Sequence, residues 1–256
     1  MSEKLQKKRF EYKYRISRAK ALEVSYFVRQ YLDCDAYGAT QPDRSYPVYS
    51  LYLDSPTLKT YHDTINGNRN RFKLRIRYYE SSLDSPVYLE IKRRYDKVIR
   101  KSRAQIDRKY LPALLGGQMP SRKHLVSTSG EQLNALEQFC YLMNQINARS
   151  QALVRYDREA YERPNTNRVR VTFDRNVRIE NVSEVDFSTS MKSPTSVFGD
   201  TVILEVKFTD RYPDWLQELI ERYHLWRESA AKYVDGTMRL KGFTLEQVKN
   251  IDYQMV

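Results

Sequence analysis

The sequence predicts an α+β fold dominated by a largely antiparallel sheet. Several segments alternate charged with aromatic or aliphatic residues, as half-buried strands do, and residues 9–17 and 71–77 are the clearest examples. Two connections, residues 81–86 and the Tyr95-Asp96 corner, are so short that they favour antiparallel neighbours. About eight strands with local helices are expected, and eight strands can close into a small barrel.

The predicted elements follow one another without an internal repeat. Ser17 is placed as the N-cap of the first helix, Pro213 opens a helix near the C-terminus, and Gly236 is expected to end the last one. Strands are predicted at residues 9–17, 48–53, 71–80, 87–94, 97–107, 152–161, 168–180 and 201–208. Helices are predicted at residues 18–32, 55–67, 109–115, 130–148, 213–224 and 229–234.

Composition narrows the class of protein. The 256 residues are 41% hydrophobic and 30% charged, which excludes collagen, low-complexity disorder and an integral membrane protein. There is no apolar run of about 18 residues and no secretory leader, so we expect a cytoplasmic protein without a transmembrane segment. Cys34 and Cys140 stand apart and lack metal-ligand spacing, which argues against a disulfide framework and a structural zinc. We expect one domain over residues 1–256.

The positive charge is unevenly distributed. The net charge is +12, but residues 1–110 hold 25 basic and 13 acidic side chains, whereas residues 111–256 hold 19 of each. This asymmetry indicates an anionic partner, which charge alone leaves open among nucleic acid, a membrane surface and a phosphorylated small molecule.

A row of cations gives the most specific functional signal. From Arg69 to Arg77 all five odd positions are basic, so five cations share one face of a strand: Arg69, Arg71, Lys73, Arg75 and Arg77. At about 3.3 Å per residue this row spans roughly 26 Å, a ladder that could follow a chain of phosphates.

The same parity recurs in other predicted strands, where carboxylates appear as Glu-x-Lys. A charged, solvated sheet face would explain any one strand, but the dominance of Arg and Lys across strands suggests a shared anion site. Turned inward, such a face would need bound anions, and a divalent metal would explain carboxylates beside phosphate. The three motifs are Glu11-Tyr12-Lys13, Glu90-Ile91-Lys92 and Glu205-Val206-Lys207.

An ordered set of motifs over essentially the whole chain resembles the VTC (vacuolar transporter chaperone) family of polyphosphate polymerase domains, within the triphosphate tunnel metalloenzyme superfamily. The motifs are RFEYKY at 9–14, RFKLRIRY at 71–78, YLEIK at 88–92, KSR at 101–103, VRYDR at 154–158, VRVTFD at 169–174, LEVK at 204–207 and AKY at 231–233.

The resemblance implies a closed antiparallel barrel of about eight strands, with surface helices and a C-terminal helical segment. It implies metal-dependent transfer of the terminal phosphoryl group of a nucleoside triphosphate, with ATP expected, onto phosphate or a growing polyphosphate chain inside a cationic tunnel. Catalytic cations are then expected at Lys13, Arg75, Arg77, Lys92, Lys101, Arg158, Arg170 and Lys232. Further substrate contacts are expected from Arg71, Lys73, Arg103, Tyr156 and Lys207, and Mn²⁺ or Mg²⁺ ligands from Glu205, Glu11 and Glu90.

The sequence departs from the pattern at two positions. The wider superfamily opens with Glu-x-Glu-x-Lys, but Arg9 occupies the first acidic position, which argues against a carboxylate-rich triphosphatase or adenylate cyclase site. Ala231 stands where the family often has Ser, which puts one phosphate hydrogen bond in doubt. Fungal members also carry a sensor domain and membrane spans, both absent here, so membrane coupling would need a separate partner protein.

Three other functions stay open at the level of sequence. A hydrolase of tripolyphosphate or nucleoside triphosphate would use the same scaffold, with water replacing phosphate as the nucleophile. A non-catalytic polyphosphate or inositol-phosphate binder would require no metal. Nucleic-acid binding is disfavoured, because Phe72, Leu74 and Ile76 lie opposite the cations instead of among them.

Overall fold

A computed structural model describes residues 9–96, 98–127, 129–163, 169–209 and 212–250. The chain divides into two compact units. Unit 1 comprises Met1–Pro47, Tyr156–Val177 and Phe198–Ala230, and unit 2 comprises Val48–Arg155, Arg178–Val197 and Ala231–Val256.

The described strands form one antiparallel sheet. Its hydrogen-bonded order is β1-β10-β8-β7-β3-β4-β5-β6, with β2 added to β7 and β9 to β8. No pairing joins β6 to β1 in the described ranges, so the sheet is not closed and the expected closed barrel is not confirmed. The strands are β1 (Arg9–Ile16), β2 (Asp33–Cys34), β3 (Ser45–Asp54), β4 (Asn70–Tyr78), β5 (Val87–Tyr95), β6 (Val98–Ile106), β7 (Arg149–Glu162), β8 (Val169–Asn181), β9 (Thr195–Ser196) and β10 (Val202–Thr209).

The helices connect these strands and confirm the α+β class. The Ser17 side chain caps the first helix by accepting from the Lys20 amide, as the sequence predicted. The α-helices are α1 (Arg18–Val28), α2 (Ala36–Ala39), α3 (Lys59–Ile65), α4 (Leu111–Leu115), α5 (Gly130–Gln145), α6 (Asp214–Arg222), α7 (Lys232–Leu240) and α8 (Leu245–Asn250). Two 3₁₀ turns lie at Arg108–Tyr110 and Arg122–His124.

Each unit has its own apolar core. In unit 1, the even-numbered face of β1 and β10 packs with α1 and α6 around Tyr14, Phe173 and Leu204, all fully buried. In unit 2, the apolar face of β4–β6 packs with α5 around Leu74, Ile76 and Phe139. Period-two alternation therefore leaves the opposite, charged face of these strands outside both cores.

The main departure from the predicted elements concerns the short helix predicted at residues 229–234. Gly236 was expected to end it, but α7 runs through this residue to Leu240. A Cβ at Gly236 would lie 2.5 Å from Ile179 Cδ1, so the glycine permits close packing of the helix on β8 instead of stopping it.

Smaller departures concern short elements and element ends. The predicted helix at 55–67 begins only at Lys59, after Leu58 in the left-handed region (φ 56°). The short elements β2, α2, β9 and α8 carry too few residues for a periodic signal and were not predicted. Lys97 and Arg168, where two strands were expected to begin, lie outside the described residues. Within those residues, no helix combines the length and apolarity needed to cross a bilayer.

Candidate anion-binding site

The charged face of β4, β5 and β6 in unit 2, which we call the cationic face, carries eight cations and a single carboxylate among the described residues. Cross-strand register puts Arg75 beside Glu90 and Glu90 beside Arg103, so these three side chains form one row. The next row consists of Lys73, Lys92 and Lys101 and contains no carboxylate. The eight cations are Arg71, Lys73, Arg75, Arg77, Lys92, Arg94, Lys101 and Arg103.

Glu90 is the centre of this face. Its side chain is 1% exposed, and its Oε2 lies 2.6 Å from Arg75 Nε and 3.9 Å from Arg77 Nε. Its Oε1 lies 2.6 Å from Lys101 Nζ and 3.3 Å from Arg103 Nε. Burial alone would raise its pKa, but the neighbouring cations outweigh burial and hold the pKa well below the usual carboxylate range.

Lys101 is the cation whose charge is most affected by this crowding. Desolvation lowers its pKa to about 7, Glu90 opposes that shift, and Arg75 and Arg77 add to it. Like charges directly opposite one another destabilise a sheet, and the three-lysine row places Lys92 between two others. An anion on this face would therefore remove repulsion as well as gain contacts.

Tyr52 belongs to this face although the sequence did not single it out. It lies opposite Arg75 in the β3–β4 register, and its hydroxyl accepts from Arg75 Nη1 at 3.4 Å. Its ring stacks on Tyr233, the second residue of α7, at 4.7 Å with an interplanar angle of 11°. Lys232 is the first residue of that helix and its charge helps lower the pKa of Tyr52.

The corresponding face of unit 1, which we call the balanced face, pairs its cations with carboxylates. Glu11 lies opposite Lys207 and Lys13 lies opposite Glu205 in the β1–β10 register. Along the strands, Lys13 Nζ is 3.3 Å from Glu11 Oε1, and Lys207 forms an ion pair with Glu205. Lys13 also donates to the Ala230 carbonyl at 3.0 Å.

The remaining predicted cations of unit 1 are also ion-paired. Arg158 makes a bidentate contact with the buried Asp174, at 2.7 Å from Nε to Oδ1 and 2.8 Å from Nη2 to Oδ2. Burial would lower the pKa of Arg158, but Asp174 raises it well above its ordinary value. Arg170 contacts Asp35 at 2.7 Å and also Glu162. The buried Tyr156 lies under the Arg158 guanidinium, 5.1 Å from its ring centre.

The VTC domain family matches residues 8–241, nearly the whole chain. The chain belongs to this family. No curated protein matches the chain significantly.

Two solved structures are similar to this VTC domain at low identity. The PH1819 protein of Pyrococcus horikoshii OT3 is 12% identical with a TM-score of 0.46, covering 92% of this chain and 100% of its own. A Bacillus halodurans protein described as a candidate adenylate cyclase is 11% identical with a TM-score of 0.47, covering 86% of this chain and 92% of its own.

The carboxylates of this VTC domain limit how a metal could be held. No group of three or more His, Cys, Asp or Glu side chains suited to a metal occurs among the described residues. Glu11 and Glu205 are diagonal neighbours on the balanced face, and Glu90 is engaged by four cations. Mg²⁺ is often held by one or two carboxylates plus substrate phosphates, so Glu11 and Glu205 fit a metal that arrives with a phosphate ligand.

The structure thus places the predicted site residues of the VTC domain on two faces. The cationic face collects Arg71, Lys73, Arg75, Arg77, Glu90, Lys92, Lys101 and Arg103. The balanced face collects Glu11, Lys13, Arg170, Glu205 and Lys207, with Arg158 joined through Asp174. The sequence did not predict three residues of this region, namely Tyr52, Asp54 and Tyr233. The chain has 21 tyrosines, and a single tyrosine gives no signal without the strand register that aligns it.

Proposed function

We propose that this VTC domain is a metal-dependent polyphosphate polymerase. It transfers the terminal phosphoryl group of a nucleoside triphosphate, ATP in the simplest case, to phosphate or to a growing polyphosphate chain. The observation that carries the proposal is the cationic face, which has eight cations and one carboxylate, Glu90, within the described strands. The cationic tunnel and single domain implied by the resemblance are part of this proposal, as is a cytoplasmic location.

The reaction asks the protein mainly for positioning and charge neutralisation. An oxygen of the acceptor phosphate forms a bond to the terminal phosphorus, the bond from that phosphorus to its bridging oxygen breaks, and the nucleoside diphosphate leaves with that oxygen. Glu90 accepts a hydrogen bond from Arg75 and so orients that guanidinium group before an anion binds, whereas Arg77 lies 3.9 Å from the same carboxylate oxygen. Arginine suits bidentate phosphate contacts, and the lysine row supplies movable point charges.

We assign the balanced face to the metal-bearing part of the substrate. Glu205, with help from Glu11, would hold Mn²⁺ or Mg²⁺, and the bound ion would supply positive charge that neutralises part of the phosphate charge. The balanced face would also contact phosphate through Lys13, Tyr156, Arg158, Arg170 and Lys207. In unit 2, Lys232 at the start of α7 would contact phosphate on the cationic face.

The test is a turnover assay with ATP and Mn²⁺ or Mg²⁺, with and without a pyrophosphate or short polyphosphate primer, resolved by phosphorus NMR. We expect internal-phosphate signals to grow as ADP appears. Glu205→Gln and the double variant Arg75→Ala/Arg77→Ala should abolish both signals.

A matched double variant controls for lost positive charge. Lys109→Ala/Arg222→Ala also removes two cations, but both are more than half exposed, so this protein should keep its activity. Orthophosphate without polymer would make the protein a hydrolase instead. Binding of polyphosphate without any turnover would make it a binding protein.

A further inference from the structure

Tyr52 presents a hydrogen-bond donor to the cationic face. Its side chain is buried at 7% exposure, and a guanidinium can only donate, so the contact with Arg75 uses the phenol oxygen as acceptor. Among the residues that the structure describes, no group accepts the proton of the Tyr52 hydroxyl. A buried O–H group ordinarily has an acceptor, so this hydroxyl can still donate to a ligand bound on the cationic face.

The surroundings of Tyr52 indicate the chemistry of that acceptor. Burial would raise the pKa of Tyr52, but Arg75, Arg77 and Lys232 outweigh it, and the net shift is downward. Glu90 is the carboxylate of this face, and its oxygens are already in contact with Arg75 and Lys101. The Tyr52 hydroxyl is therefore a hydrogen-bond donor among cations, and the one carboxylate nearby already contacts other side chains. Such a donor is suited to binding an oxyanion.

The ring of Tyr52 is held in place by a second tyrosine. Tyr233 stacks on it, and the Tyr233 hydroxyl donates to Asp54 Oδ2 at 2.9 Å. Asp54 is fully buried and also accepts from the Thr60 and Tyr61 amides at the start of α3. Burial and Asp54 both raise the pKa of Tyr233, so its proton stays committed to Asp54.

We propose that Tyr52 is an anion-binding residue of the cationic face, whose phenol donates a hydrogen bond to a phosphate oxygen held by Arg75. Tyr233 and Asp54 act as positioning residues that fix its ring. The inference rests on the proposed function, because it supposes that phosphate occupies this face, and it adds a neutral donor to a set of contacts otherwise made by cations.

The decisive variant is Tyr52→Phe, which keeps the stacked ring and removes the hydroxyl. The probe is tripolyphosphate, measured by calorimetry, and the expected result is an affinity about tenfold weaker with an unchanged melting temperature. Tyr49→Phe is the matched control. Tyr49 lies on the same strand with its side chain in the apolar core, stacks on Tyr78, and donates to the Thr189 carbonyl at 3.1 Å. Tyr49→Phe should leave tripolyphosphate affinity unchanged.

A second measurement separates direct contact from an effect through Arg75. In an Arg75→Lys background the charge remains but the contact with the phenol changes, and Tyr52→Phe should still weaken binding severalfold. Carbon-13 NMR of the tyrosine Cζ atoms should show the Tyr52 signal, assigned from Tyr52→Phe, shifting when tripolyphosphate is added to the wild type. A loss that disappears in the Arg75→Lys background would leave Tyr52 a positioning residue and overturn the proposal.

The outcomes also distinguish this inference from the proposed function. If Tyr52→Phe had the same tripolyphosphate affinity and the same turnover as the wild type, only the role of Tyr52 would be overturned. Equal losses of affinity and melting temperature in Tyr52→Phe and Tyr49→Phe would reduce both to packing effects. A wild-type protein that binds no tripolyphosphate and makes no polymer would instead overturn the proposed function.

Discussion

The balanced face and the cationic face are built from the same sequence motif but have opposite electrostatic character. In unit 1, two Glu-x-Lys strands run antiparallel, so each glutamate lies opposite a lysine. In unit 2, the Glu-x-Lys motif of β5 lies between two strands that offer only cations at the matching positions. Glu90 therefore meets Arg75 and Arg103, and Lys92 meets Lys73 and Lys101. Register between strands, more than composition within them, decides whether a charged face is neutral or strongly positive.

This difference suggests a division of labour. Each cation of the balanced face already contacts a carboxylate, so an anion bound there must compete with these carboxylates or bring its own positive charge. The cationic face lacks carboxylates beyond Glu90 in the described residues, so it favours a bare polyanion.

The largest expected effect comes from removing the carboxylate at the centre of the cationic face. Glu90→Gln leaves four cations around a neutral amide, and we expect the free energy of unfolding to fall by about 3 kcal/mol in urea denaturation. Tripolyphosphate should restore much of that loss, since it binds only the folded protein. Glu137→Gln on the exposed side of α5 should change neither quantity. An equal loss in both variants would contradict the central role of Glu90.

The second prediction separates the two faces by their metal requirement. Glu205→Gln should weaken Mn²⁺-dependent ATP binding about tenfold while leaving tripolyphosphate binding in EDTA within about twofold. Lys73→Ala/Lys92→Ala should weaken tripolyphosphate binding in EDTA by a similar factor and reduce its dependence on salt. Calorimetry with and without metal measures both. If both variants weakened both ligands equally, the division of labour would be wrong.

The third prediction concerns pH and Lys101. Because its pKa is about 7, Lys101 loses its charge between about pH 6 and 8 in the free protein, and tripolyphosphate affinity should fall severalfold over that range. Lys101→Arg should show a smaller fall, because arginine stays charged and the titration of the ligand itself is common to both proteins. Matching pH profiles would show that Lys101 is not responsible.

The sign of the stability effect follows from the same shift. The unfolded protein holds this proton up to about pH 10, whereas the folded protein releases it near pH 7. Lys101 should therefore make the free protein more stable as pH rises between these values, and Lys101→Met should remove that contribution. Urea denaturation at pH 6.5 and 9 would measure it.

The smallest expected effect lies on the balanced face. Thr172 lies opposite Glu205, and its hydroxyl is buried without a hydrogen-bond partner in the described part of the protein. Thr172→Val should therefore change the free energy of unfolding by no more than about 0.5 kcal/mol, because the methyl group that replaces the hydroxyl loses no hydrogen bond. A loss well above about 1 kcal/mol in urea denaturation would show that the hydroxyl has a partner.

Strand and helix patterns were readable in the sequence because they are local. Alternation located β1, β4 and β5 to within about two residues, and the Ser17 cap fixed the start of α1. Gly236 misled because glycine also serves close packing, and only the distance to Ile179 distinguishes that use from a helix stop. Asp54 gave no signal either, because its partners at Thr60, Tyr61 and Tyr233 meet it only in the folded chain.

The sequence by itself determined that this protein is an α+β member of the VTC domain family with a cationic strand face. Period-two alternation and an ordered set of motifs are properties of the chain alone, and the family match over residues 8–241 agrees with them. Only the tertiary structure decided which glutamates neutralise lysines, which one gathers four cations, and which tyrosine faces Arg75. Those contacts join strands far apart in sequence, and a shift of one residue in their register would turn every side chain to the other face.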